Sequence, residues 1–159
     1  MQLYNKKIQT PVGQLTLVAH DQALVAVLWE NDDPKRVKLS ESFEQNEHPL
    51  LKEVEKQLAE YFAGQRTQFN IPLDFHGTAF QKSVWSALLR IPFGETRSYK
   101  QIAESIGNVK AVRAVGAANG KNPISIIAPC HRVIGANGKL VGFAGGLKNK
   151  DILLNLESK

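Results

Sequence analysis

Ser98-Tyr99-Lys100-Gln101-Ile102-Ala103-Glu104-Ser105-Ile106-Gly107, followed after a short turn by Lys110-Ala111-Val112-Arg113-Ala114-Val115-Gly116-Ala117-Ala118-Asn119-Gly120-Lys121, is the stretch that decides the fold of the C-terminal half. Ser98 with Gln101 three residues on is a capping box, and Tyr99, Ile102, Ala103 and Ile106 carry a helix to Gly107. A second helix is expected over Lys110 to Asn119. Two short helices joined by a glycine-containing turn read as a helix-turn-helix. On the second helix Lys110, Arg113, Ala114, Ala117 and Lys121 share one face, and Val112, Val115 and Asn119 share the other. A nearly bare face with one Arg and flanking lysines suits close approach to a nucleic acid. It equally suits a helix packed tightly on another through its alanines.

Working outward, Thr78 with Gln81 forms another capping box. It starts a helix whose stripe of Phe80, Val84, Trp85 and Leu88 stops at Ile91-Pro92. A last helix is expected from about Asn149 to Glu157, with Ile152, Leu153 and Leu156 facing inward. The first half has a different periodicity. Leu15 and Leu17 alternate with Thr16 and Val18 over Gln14 to Ala19, and Ala23 to Trp29 is a near-continuous apolar run. With turn chemistry at Thr10 to Gly13 and at His20 to Gln22, a meander of about three antiparallel strands follows, ending in a polar break at Asn31 to Lys35. A helix then begins near His48, carried by Leu50, Leu51, Val54, Leu58, Tyr61 and Phe62 and stopped by Gly64. Gln65 to Gly77 reads as a connector. The expected organisation is α+β, with an N-terminal α/β domain over 1–74 and a C-terminal domain over 75–159.

The chain of 159 residues, 43% hydrophobic and 22% charged, has the composition of a globular protein. It contains no apolar run of membrane-spanning length, and Met1 to Thr10 is too polar for a signal peptide. Residence in the cytoplasm is expected. Its charge is unevenly spread: from residue 78 onward there are 12 Lys and Arg against 4 Asp and Glu, whereas residues 1–77 hold 8 against 11. A basic C-terminal half is the footprint of a nucleic-acid partner, or a surface kept basic for solubility. The single cysteine excludes internal disulfides and thiolate-rich zinc sites. His20, His48, His76 and His131 are scattered without ligand spacing, so no metal and no cofactor are expected.

That cysteine is Cys130, in Ile126-Ile127-Ala128-Pro129-Cys130-His131-Arg132-Val133. A cysteine in an apolar segment is usually an inert core residue. Here His131 can accept or relay the thiol proton, and Arg132 adds a cationic field that favours a thiolate. In an extended segment adjacent side chains point to opposite faces, so His131 would reach Cys130 through a bridging water unless the chain turns there. Downstream, Gly142-Phe143-Ala144-Gly145-Gly146 could bring backbone close to a ligand, with Phe143 stacked on a planar base, or could be a structural loop.

Pro129-Cys130-His131-Arg132-Val133 with Gly142-Phe143-Ala144-Gly145-Gly146 resembles the active site of the O6-alkylguanine-DNA alkyltransferases. Gly94-Glu95-Thr96-Arg97-Ser98-Tyr99, Ile102-Ala103, Ala114-Val115-Gly116 and Asn122-Pro123 resemble the same family, so motif similarity covers residues 78–157, about half the chain. The resemblance implies a ribonuclease-H-like N-terminal sheet with a helix, and a winged-helix-like C-terminal domain. It implies single-use transfer of an alkyl group from O6-alkylguanine, and possible use of O4-alkylthymine, in duplex DNA after base flipping.

Cys130 would be the acceptor, His131 its base through a water, and Glu157 the residue that orients His131. Asn122 would hold the loop before the cysteine, and Tyr99 would assist departure of the base. Arg113 would fill the vacated stack, with Ala114, Gly116 and Ala117 in the minor groove and Lys110 and Lys121 at phosphates. Val133, Phe143, Ala144 and Gly145 would line the base pocket. The partner would be double-stranded DNA containing the lesion, with no membrane and the protein acting as a monomer. Phe143 stands where many members carry tyrosine, and Val112 is bulkier than the alanine common in some members. Two other classes predict different products. A non-catalytic lesion-binding or helix-turn-helix regulatory module would form no covalent adduct, and a Cys-His hydrolase would turn over.

Overall fold

The computed structural model describes residues 1–138 and 142–159. The chain divides into two compact units, Met1–His76 and Gly77–Lys159. No helix among the described residues is long and apolar enough to cross a membrane.

The first unit is a four-stranded sheet with one helix. Strands β1 (Leu3–Thr10) and β2 (Gly13–Ala19) form a hairpin in which Thr10 pairs with Gly13. Thr10 Oγ1 accepts from Val12 N and donates to Gly13 O, and Gly13 takes φ 92°, which a side chain would resist. β2 pairs antiparallel with β3 (Leu24–Trp29), whose unbroken apolar run is buried at every position but Leu28. The antiparallel meander expected from the sequence is therefore present, with one addition. A short strand β4 (Ser42–Glu44) joins the far edge parallel to β1, giving the order β3-β2-β1-β4 and a mixed sheet. Three residues with a single exposed apolar side chain, Phe43, carry no alternation from which this strand could be read.

Helix α1 (Pro49–Phe62) is capped by His48, whose Nδ1 accepts from Leu50 N, and it starts with proline in the first turn. Leu51, Val54 and Leu58 on its inner face are fully buried, each contributing about 1.5–3 kcal/mol by leaving water. Gln57 joins them, exchanging two hydrogen bonds with the backbone of Asn70 at 3.2 and 2.9 Å, so the returning chain is clamped to the helix.

The second unit begins with α2 (Ala79–Leu88) and α3 (Tyr99–Ser105), and both expected capping boxes are complete. Helix α4 runs Val112–Gly120, two residues later at its start than periodicity implied, because Ala111 rather than Lys110 occupies the cap. α2, α3 and α4 pack on one another, and Trp85 Nε1 ties α2 to α4 through the buried carbonyl of Ala118 at 2.8 Å. A 3-10 turn over Cys130–Arg132 leads into a two-residue strand β6 (Val133–Ile134). β6 pairs in parallel with β5 (Arg97–Ser98), the residues just before α3. α5 (Leu147–Glu157) closes the unit. Its inward face differs from expectation: Lys150, Leu153 and Glu157 are buried, whereas Ile152 and Leu156 are only half covered. The hydrophobic stripe misled because two of the inward positions hold charged side chains that find partners inside.

Candidate active site and nucleic-acid interface

The backbone around Cys130 is built to be held rather than to pair in a sheet. After α4 the chain turns at Asn122, which is fully buried. Asn122 Nδ2 donates to Ala128 O at 2.8 Å and its Oδ1 accepts from Ile124 N at 3.0 Å, bridging the loop across six residues. Inside that bridge Ile126 has φ 74°, a left-handed conformation that costs a β-branched residue about 1–3 kcal/mol. Asn122→Ala is expected to leave the buried Ile124 N–H unpaired, with Ala128 O keeping only the Cys130 N–H, and to destabilise the protein by roughly 1–3 kcal/mol, read by chemical denaturation. Unchanged stability would show the loop does not depend on this bridge.

Cys130 lies in a 3-10 turn, not in an extended segment as the sequence suggested. Val133 N–H donates to Cys130 O and so closes the turn. Asn119 Nδ2 reaches the same carbonyl at 3.4 Å. Tyr99, the first residue of α3, follows the strand that pairs with Val133 and Ile134, and it lies within reach of the Cys130 charge. Burial raises the Tyr99 pKa, the Cys130 charge raises it further, and a hydrogen bond with Asn119 pulls it the other way.

His131 is fully buried and its Nε2 lies 2.7 Å from Glu157 Oε2. If Nε2 carries the proton and donates it to the carboxylate, Nδ1 is left as an acceptor. Nδ1 is buried and has no hydrogen-bond partner among the described residues. Burial is the main cause that lowers the His131 pKa; Glu157 opposes it, while the charges of Arg132 and Lys150 add to it. Burial thus favours the neutral imidazole, the form able to accept a proton.

Arg132 hydrogen-bonds to Glu157 and to the backbone. Its Nε donates to Glu157 Oε1 at 2.7 Å, one terminal nitrogen to Oε2 at 3.1 Å, and the other to Ile91 O at 2.6 Å. The guanidinium is therefore paired with Glu157, and what it fixes is the carboxylate that holds His131. Sequence reasoning missed Lys150 altogether. It is fully buried, and its Nζ donates to Val133 O at 2.7 Å and sits 5.8 Å from the centre of the Phe143 ring. The only hint was the spacing of Lys150, Leu153 and Glu157 on one helix face. Val133, expected to line the base pocket, already uses one lone pair of its carbonyl on this amine.

Phe143 is half-buried, Ala144 exposed and Gly145 intermediate, so the glycine-rich segment presents both ring and backbone at the surface. Asn149 Nδ2 holds it through Gly145 O at 2.9 Å, and Gly146 N closes a turn onto Phe143 O. On α4, Arg113, Ala114 and Ala117 are exposed together, flanked by exposed Lys110 and Lys121. Two residues sit differently from expectation. Val112, at 37% exposure, belongs to the outer face because it opens the helix before the inward register is established. Gly116 is half-covered and faces Tyr99, whose ring carbons would lie 3.8 Å from an added Cβ.

Residues 3–75 match the family described as "6-O-methylguanine DNA methyltransferase, ribonuclease-like domain", and residues 79–159 match "6-O-methylguanine DNA methyltransferase, DNA binding domain". The chain is 48% identical over 155 residues to the methylated-DNA–protein-cysteine methyltransferase of Methanosarcina acetivorans, covering 98% of both chains. It is 47% identical over 157 residues to that of Mycobacterium tuberculosis, covering 98% of this chain and 92% of the relative. Among solved structures it resembles Mycobacterium tuberculosis OGT in complex with DNA, with TM-score 0.91 and 46% identity over 98% of this chain and 92% of the other.

Proposed function

Because the chain belongs to the 6-O-methylguanine DNA methyltransferase family, we propose that it repairs DNA by moving the alkyl group of O6-alkylguanine onto Cys130, once per molecule. The observation that carries this reading is the buried His131, next to the protein's only cysteine in sequence, with Nε2 2.7 Å from Glu157 Oε2 and a buried Nδ1 that has no hydrogen-bond partner among the described residues. A binding module has no need of such a relay.

The chemistry balances as follows. The thiol proton passes through a water to His131 Nδ1, and Glu157, held by Arg132, stabilises the imidazolium. The thiolate attacks the alkyl carbon, an S–C bond forms and the C–O6 bond breaks. The electron pair returns to the guanine ring, which takes up a proton and leaves as ordinary guanine. Tyr99 would assist departure of the base, and burial favours its neutral phenol, which is able to donate. Asn122 holds the loop that aims Cys130, while Val133, Phe143, Ala144 and Gly145 receive the base. The base must first leave the duplex. Arg113 fills the gap, Ala114 and Ala117 let α4 approach the minor groove closely, Gly116 leaves room for Tyr99 behind it, and Lys110 and Lys121 meet phosphates. The protein acts as a monomer on double-stranded DNA in the cytoplasm, where a reducing environment preserves its one thiol.

With methylated DNA in excess, repaired lesions should equal active protein and then stop, because a thioether is not hydrolysed under mild conditions. Sustained turnover by one protein population rejects the single-use reading. Arg113→Ala should slow transfer from duplex DNA by roughly ten- to a hundredfold, since unstacking a base costs a few kcal/mol. Transfer from a free modified base should change little. Equal slowing of both would show that Arg113 does not act on the duplex.

A further inference from the structure

Lysine rarely lies wholly inside a protein, because its ammonium loses its hydration there. Lys150 does so on the second turn of α5, in a unit that offers abundant surface for a basic residue. What fixes it is the acceptor turn itself. Nζ donates to Val133 O, and Val133 N–H in turn closes the 3-10 turn on Cys130 O. The amine cannot move away from the cysteine without breaking a bond to the residue that ends that turn. The face of Phe143 covers it at 5.8 Å, a geometry that favours a cation.

Among the described residues, the charged and titratable groups of the acceptor turn and of the helices beside it have assigned work. From the 3-10 turn come Cys130, His131 and Arg132, from α5 Glu157, and from the start of α3 Tyr99. Glu157 is shared by His131 and Arg132 through contacts of 2.7, 2.7 and 3.1 Å. The negative charge that acts on Lys150 is that of the Cys130 thiolate, which raises its pKa against the lowering effect of burial. Lys150 in turn is one of the charges that hold His131 neutral.

We propose that Lys150 is a positioning residue for the acceptor: anchored on Val133 O, its ammonium provides the field in which Cys130 exists as a thiolate. The idea rests on the reading of Cys130 as acceptor. Lys150 keeps its proton throughout. The thiol proton still leaves through His131, and Lys150 stabilises the charge that remains on sulfur. A pair of opposite charges in a site of reduced dielectric readily shifts a protonation equilibrium by about one unit, a tenfold change in thiolate fraction.

The test needs no DNA. The rate of Cys130 alkylation by iodoacetamide is measured against pH in the wild type, Lys150→Gln and Lys150→Met. Gln retains a donor for Val133 O without the charge, and Met removes both. Both variants should react about tenfold more slowly near neutral pH and recover at alkaline pH, with the midpoint moved upward by about one unit. A folded Lys150→Gln protein with the wild-type midpoint overturns the proposal. Should the variants not fold, the native chain gives the reciprocal measurement. The amine of isotopically labelled Lys150 is titrated by NMR before and after Cys130 is capped as a neutral mixed disulfide with methyl methanethiosulfonate. Its midpoint should fall when the thiolate is removed, because coupling between two sites is mutual. An unchanged midpoint overturns the proposal. Methyl transfer from DNA, assayed separately, distinguishes the two readings. Transfer without any shift sinks only the role of Lys150, and a shift without transfer sinks only the proposed function.

Discussion

Cys130→Ser should bind lesion-containing DNA as the wild type does and transfer no alkyl group. The substitution is nearly isosteric and neutral, so the 3-10 turn and its contacts with Val133 and Asn119 should persist. What changes is acidity and nucleophilicity. A relay of one neutral imidazole and one carboxylate can ionise a thiol, but a hydroxyl holds its proton far more tightly. The single-turnover rate should fall by at least about ten-thousandfold, below the level that general-base assistance alone accounts for. Intact-protein mass spectrometry after incubation with a methylated-guanine oligonucleotide decides it. The wild type should gain the mass of one methyl group and the serine variant none. A methylated serine variant would place the acceptor elsewhere.

Much of this architecture was legible because local signals agreed with one another. Thr78 with Gln81 and Ser98 with Gln101 announced two helix starts to the residue. The Val- and Leu-rich run before Trp29 announced a strand buried on both faces. Other features left no local trace. β4 exists because β1 offers an unpaired edge, and pairing of backbone groups needs no pattern in Ser42, Phe43 and Glu44. The turn at Cys130 is imposed by Asn122 and by the pairing of Val133 with Arg97, contacts made across six and 36 residues. Charged residues in α5 were the least legible. Lys150 and Glu157 look like surface residues in Leu147-Lys148-Asn149-Lys150-Asp151-Ile152-Leu153-Leu154-Asn155-Leu156-Glu157, and only the partners inside the unit explain their burial. The pairing of Arg132 was hidden for the same reason: adjacency to Cys130 in sequence said nothing about which carboxylate it would meet.

Those partners set the outcome for the relay. His131→Ala should slow transfer at neutral pH by roughly a hundred- to ten-thousandfold, the usual worth of a general base, and the rate should recover partly as pH rises and hydroxide takes its place. Glu157→Gln should lose less at neutral pH, since His131 Nδ1 remains, yet it should cost more in stability. Glu157 satisfies both His131 and Arg132, and a neutral amide leaves a buried guanidinium without its counter-charge; the expected loss is about 3–5 kcal/mol. The double variant should transfer little more slowly than His131→Ala, because Glu157 acts through His131.

The wild type carries its own signature of the neutral imidazole. Burial holds the folded His131 pKa below the ordinary histidine value of 6.5, so the unfolded chain binds the proton first. The associated stability is fully present above pH 6.5 and is lost as pH falls through the folded value. His131→Ala should flatten that part of the stability profile, measured by denaturant unfolding at stepped pH. A profile as steep in the variant as in the wild type, or full transfer activity of His131→Ala at neutral pH, would remove His131 from the relay.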